Sequence, residues 1–131
     1  MARILIAEDE YSLCDLCARA LATAGHEVET AHDGSEALDV LNKRGGCFDL
    51  LLTDVRMPKM DGIALSLAAA RTFPDLTIML MTGYADQRER AHGLDALVHD
   101  VLAKPFSVAA LCGAVTKRWP SRRAGERLIL T

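Results

Sequence analysis

Aromatic residues are scarce in this chain: Trp, Tyr and Phe together make up 5% of 131 positions. Basic residues are not interleaved with them, and no helix-turn-helix signature is present, so nothing points to nucleic-acid binding. Long apolar runs are also missing, since nothing approaches the roughly 20 residues that cross a bilayer. The first such run, Ile4-Leu5-Ile6-Ala7, meets Glu8-Asp9-Glu10 at once, which no secretory signal would do. A cytoplasmic protein with no membrane partner is the expectation. Cysteine is limited to Cys14, Cys17, Cys47 and Cys112, expected to stay reduced in that compartment. Cys14-x-x-Cys17 has no second CxxC or His pair to complete a zinc site, and His26, His32, His92 and His99 are scattered. These cysteines read as packing residues. Low-complexity segments and internal repeats are absent as well.

What remains is ordinary globular composition, 50% hydrophobic and 25% charged, in a chain of single-domain length. Such a domain buries about 68% of its unfolded surface and needs no disulfide or metal to fold. The net charge of −3 is unevenly spread. From Lys117 onward five basic residues stand against Glu126, so an acidic body carries a basic end. Residues 1–118 read as one domain and 119–131 as a basic tail, with no output domain expected.

Short aliphatic runs alternate with helical spacing. The runs are Arg3–Ala7, Glu27–Ala31, Asp49–Thr53, Thr77–Met81 and His99–Ala103. Between the first two, Leu13, Leu16, Cys17, Ala20, Leu21 and Ala24 recur with a helix period, and Gly25 marks the stop. Asp33 and Asp86 each precede a Glu by three residues, as in a capping box. Ala64–Thr72 is helical up to Pro74, and Ser107 opens a last helix to about Arg118. Five strands alternating with five helices predict βαβ units and a parallel sheet covered on both faces. Leu50-Leu51-Leu52 and Ile78–Met81 suit strands buried on both faces; the mixed second run suits an edge.

Ligands of open α/β sheets bind beyond the carboxyl ends of the strands. Those ends deliver Glu8-Asp9-Glu10, Thr53-Asp54, Thr82-Gly83 and Lys104-Pro105. One lysine cannot balance Glu8, Asp9 and Asp54, because two like charges 4 Å apart repel by about 4 kcal/mol at an effective dielectric near 20. Either the carboxyls hold protons or a cation binds. Mg²⁺ favours few protein carboxylates, several waters and a phosphate oxygen. Asp54 can then act as a nucleophile that becomes an aspartyl phosphate, with Lys104 and the metal neutralising charge and the Thr82 hydroxyl donating to a phosphoryl oxygen.

With Ala7-Glu8-Asp9-Glu10, Thr53-Asp54-Val55-Arg56-Met57-Pro58, Met60-Asp61-Gly62, Thr82-Gly83 and Lys104-Pro105-Phe106 in this order, residues 3–118 resemble the receiver domain of bacterial two-component response regulators. The resemblance implies a flavodoxin-like (βα)5 doubly wound sheet of strand order 2-1-3-4-5. It implies Asp54 as phosphoacceptor, and Mg²⁺ held by Asp9, Glu8, Asp54 and the backbone carbonyl of Arg56. Thr82 becomes the switch hydroxyl and Lys104 its ion-pair partner, followed by a cis bond to Pro105. Val101 stands where many receivers have Tyr or Phe, so the usual aromatic coupling cannot operate unchanged; Tyr84 is a candidate substitute. Gly83-Tyr84 and Val101–Pro105 look more like single-domain receivers of the CpdR type.

The expected function is a stand-alone receiver, phosphorylated by a sensor histidine kinase or histidine phosphotransfer protein. It would catalyse only its own phosphorylation and dephosphorylation, and signal to a protein target. The target would bind the face of the fourth and fifth strands and the helix begun at Asp86. Two rivals are an unphosphorylated scaffold and a phosphatase with an aspartyl nucleophile. Against the phosphatase, Arg56 occupies the place of the usual second Asp.

Overall fold

The computed structural model describes residues 1–83 and 98–120. Within them lie β1 (Arg3–Ala7), α1 (Tyr11–Thr23), β2 (Glu27–Ala31), α2 (Gly34–Lys43), β3 (Leu50–Asp54), α3 (Gly62–Thr72), β4 (Thr77–Thr82), β5 (Asp100–Ala103) and α4 (Val108–Arg118). All strand pairings are parallel, in the order β2-β1-β3-β4-β5. The expected doubly wound sheet and its strand order are therefore present. Tyr84 and the helix expected from Asp86 lie outside the described residues.

Strand alternation divides the core in two. Leu5, Leu51, Ile78 and Leu80 pack with Ala37 and Leu41 of α2 and with Leu65 and Ala69 of α3. Ile4, Ile6, Leu50, Leu52, Met79 and Met81 pack on the other face with Cys14, Cys17 and Leu21 of α1 and with Leu111 and Val115 of α4. This double burial is why Leu50–Leu52 of β3 and Ile78–Met81 of β4 are apolar without interruption. Each large aliphatic side chain so buried contributes about 1.5–3 kcal/mol.

Local signals set the helix ends. Asp33, Asp61 and Ser107 accept the backbone N–H three residues on, at 2.7, 2.8 and 3.0 Å. Each cap contributes about 1 kcal/mol. The capping box at Asp33 is only half formed, because Glu36 reaches past it to the N–H of His32 at 3.3 Å. At the end of α1, His26 N–H donates to Leu21 O and Gly25 N–H to Ala22 O, the paired bonds of a Schellman motif. Gly25 has φ +102°, which explains the glycine. The buried face of α1 includes Cys17 and Leu21 as predicted and departs from the prediction at Leu16. Leu16 is 52% exposed, and the inward stripe runs through Cys14, Cys17 and Leu21. Both α1 cysteines are thus core residues, and burial pushes their thiols up to about 11, far from a reactive thiolate.

His26 is buried before β2, and its Nδ1 accepts the N–H of Ala2 at 2.9 Å. Burial, then the positive amino terminus, lowers its pKa, so the fold prefers the neutral ring. The unfolded chain takes up that proton near pH 6.5. Stability from His26 is therefore complete above about 6.5 and is lost as pH falls through that value toward the depressed folded one. His26→Asn keeps an acceptor but does not titrate. Between pH 7 and 5 its Tm should fall less than that of the wild type in paired thermal melts; parallel curves would remove this assignment.

Candidate functional site

Because β1 and β3 are neighbours, Glu8 just past one and Asp54 at the tip of the other meet on the carboxyl rim. Glu8 is 1% exposed and Asp54 6%. Lys104, just after β5, reaches across β4 to both: its Nζ lies 2.7 Å from Glu8 Oε1 and 2.9 Å from Asp54 Oδ2. The lysine's own N–H donates to Thr82 O at 2.7 Å, and Lys104-Pro105 is cis. Asp54 Oδ1 accepts the N–H of Val55 at 3.0 Å, leaving its carboxylate held at both oxygens.

Asp9 completes the group. One carboxylate oxygen each from Glu8, Asp9 and Asp54 lies within 4.8 Å of the others. Three carboxylates against one ammonium leave an excess of negative charge. Partial burial, then the hydrogen bond and charge of Glu8, raise the Asp9 pKa. Burial alone would lower that of Lys104, but its bonds to Glu8 and Asp54 outweigh burial and raise it. The ammonium therefore stays protonated. Hard oxygen donors with surplus negative charge suit Mg²⁺, and the rim opens into a cleft of about 470 Å³ that leaves room for waters and a phosphoryl group. Glu10, Leu13, Arg56, Gly83, Pro105 and Phe106 line it together with Asp54 and Lys104.

Thr82 is fully buried at the end of β4, and its Oγ1 has no hydrogen-bond partner among the described residues. A buried hydroxyl with donor capacity to spare can serve a phosphoryl oxygen. Glu8, Asp9, Asp54 and Lys104 are thus brought together, and Arg56 lines the same cleft. Val101 is 42% exposed on β5, beside Leu80 in register.

Two supports of the site were not read from the sequence. Met60 N–H donates to Pro58 O at 2.8 Å across Lys59, whose φ is 67°. That makes the loop after Asp54 a γ-turn, an uncommon and strained shape. Asp61 then caps α3. A signal for the second existed: Asp followed by Gly before a helical run marks an N-cap.

A family model of the response regulator receiver domain matches residues 4–116. The chain belongs to that family. Among curated relatives, the response regulator MprA of Mycobacterium bovis (strain BCG / Pasteur 1173P2) is 35% identical over 131 residues, 98% of this chain and 56% of the relative. MprA of Mycobacterium avium (strain 104) is 38% identical over 109 residues, 83% of this chain and 47% of the relative. This receiver thus spans about half the length of the curated relatives it matches. A CheY-like receiver domain protein of Methanospirillum hungatei superposes with a TM-score of 0.81 at 28% identity, covering 90% of this chain and 93% of the other. Response regulator TrrA of Thermotoga maritima, solved in complex with Mg(2+)-BeF, gives 0.77 at 29%, covering 89% and 98%.

Proposed function

We propose that Asp54 accepts a phosphoryl group from a histidine of a sensor kinase or phosphotransfer protein, with Mg²⁺, and that the change is read by a protein target. One observation carries this: the Asp54 carboxylate, held 2.9 Å from Lys104, belongs to a three-carboxylate cluster at the mouth of an open cleft. The relative solved with Mg(2+)-BeF supports the same pocket chemistry here. Asp9, Glu8, Asp54 and the backbone carbonyl of Arg56 would hold the ion, which supplies positive charge to the phosphoryl oxygens. An oxygen of Asp54 forms the new bond to phosphorus as the bond to the donor nitrogen breaks, its electron pair staying on the imidazole. Lys104 neutralises charge on that side, and the Thr82 hydroxyl donates to one phosphoryl oxygen. Positioning and electrostatics of this kind account for most of such catalysis.

No separate substrate is turned over in this reading; the chain catalyses only its own phosphorylation and dephosphorylation. The aspartyl phosphate carries about −1.5 to −2 charge where the carboxylate carried −1, beside Thr82 at the end of β4 and Lys104 just after β5. A shift in their conformational populations would pass to the face of β4, β5 and the helix expected from Asp86. Action in the cytoplasm, through a protein rather than a nucleic-acid target, is part of the proposal.

Incubation with Mg²⁺ and acetyl phosphate, followed by intact mass measurement, tests it. One phosphate should add to the wild type, and none to Asp54→Asn or in the presence of a chelator. An adduct that survives the substitution moves the acceptor elsewhere; one that forms without metal removes Mg²⁺ from the scheme. Turnover of phosphate esters would favour the phosphatase.

A further inference from the structure

The turn that carries Glu8 and Asp9 is gripped from outside the site. His32, the residue after β2, places Nδ1 3.2 Å from the carbonyl oxygen of Glu8. A carbonyl only accepts, so Nδ1 bears the hydrogen and donates it. The same ring lies flat on Tyr11, the first residue of α1, with centroids 3.8 Å apart and planes 10° from parallel. Its backbone is anchored in turn: Glu36 accepts the His32 N–H at 3.3 Å, and Glu36 N–H is fixed by Asp33 at 2.7 Å. One imidazole therefore ties the start of α2 to both ends of the Glu8–Tyr11 turn.

The place of that bond matters. The carbonyl of Glu8 belongs to the peptide joining Glu8 to Asp9, so its direction sets where the Asp9 side chain departs. Strand pairing ends at Ala7 opposite Ala31, one step earlier. Beyond it the turn is held by the Glu8 N–H to Ala31 O at 3.0 Å and by the Glu10 N–H to Glu8 Oε2 at 3.1 Å. Neither bond constrains the Glu8 carbonyl. Charge repulsion among the three carboxylates opposes keeping Asp9 beside Asp54, and Asp9 lies at the exposed edge of the cluster. Tyr11 is 68% exposed, yet its ring is spent on His32, which steadies the imidazole plane.

We propose that His32, stacked on Tyr11, is a positioning residue for the acidic cluster, holding the Glu8–Asp9 peptide so that Asp9 stays within metal-sharing distance of Asp54. This rests on the reading of the cluster as a Mg²⁺ site. Groups that orient ligands without touching the metal commonly change affinity tenfold or more when removed, and a single lost neutral hydrogen bond corresponds to about fivefold.

The test uses the full chain with Mg²⁺ alone, by calorimetry, and amide hydrogen exchange of the metal-free protein. His32→Ala should weaken Mg²⁺ binding about five- to tenfold and speed exchange at residues 8–10. His32→Asn, whose amide can replace the Nδ1 donor, should recover most of the affinity. Tyr11→Phe should match the wild type, whereas Tyr11→Ala should fall toward His32→Ala. Thermal melts confirm that each variant is folded. A wild type that binds Mg²⁺ while His32→Ala binds within twofold of it overturns the inference and leaves the proposed function standing. A wild type that binds no Mg²⁺ overturns the metal reading, and this inference with it.

Discussion

Lys104→Ala should lower Tm by about 10 °C in the absence of divalent ions, and Mg²⁺ should restore much of the loss. Glu8 is 1% exposed, and the same ammonium serves both it and Asp54. Removing one partner of a buried ion pair strands the other charge in low dielectric, which typically costs 3–5 kcal/mol. Lys104 keeps 21% of its side chain in water, so screening reduces the figure to about 2–3 kcal/mol. For a domain of this length that corresponds to roughly 10 °C. The metal arm is sharper. Without the ammonium the three carboxylates attract a dication more strongly, so a given Mg²⁺ concentration should raise the Tm of the variant more than that of the wild type. Equal stabilisation of both proteins by Mg²⁺, in melts across a concentration series, would count against a shared ion and ammonium pocket.

Alanine at Gly62 and alanine at Gly113 should have opposite signs. A Cβ at Gly62 would sit 1.8 Å from the carbonyl oxygen of Asp54 and 2.8 Å from its carbon, both backbone atoms. Gly62 N–H also donates to Val55 O at 2.7 Å, so α3 starts directly against the end of β3 and neither can retreat without moving Asp54. Overpacking usually costs 1–3 kcal/mol; with rigid backbone on both sides, about 3–4 kcal/mol or failure to fold is expected, with phosphorylation of any folded fraction reduced. Gly113 lies within α4 with nothing inside 4 Å of its added Cβ. Here alanine should stabilise by about 0.5–1 kcal/mol through helix propensity. Denaturant melts of the two variants decide the matter. A Gly62→Ala protein as stable as the wild type would show that the end of β3 is free to adjust.

The strand pattern was legible because it is physically redundant. Leu50-Leu51-Leu52 and Ile78–Met81 can be continuously apolar only where helices cover both faces, and both segments are inner strands. Ser107 and Asp33 were readable as caps because a side-chain oxygen three residues before a free N–H is a local signal. The edge of the α1 face was not. Leu16 fits the helix period of Leu13 and Ala20 as well as Cys14 fits that of Cys17 and Leu21, and whether Leu16 or Cys14 turns inward depends on the angle at which α1 meets β1 and α4.

Residue type and spacing alone determined that this chain alternates strand with helix, and that carboxylates, a hydroxyl and a lysine end the strands. Those are properties of neighbours along the backbone. The tertiary structure decided what lies between them: a lysine ammonium 2.7 Å from a glutamate 96 positions away, an imidazole on the carbonyl behind that glutamate, and a buried threonine hydroxyl with no partner among the described residues. Hydrogen bonds and charge pairs act over a few ångströms, and only the packed sheet brings groups so distant in sequence to that range.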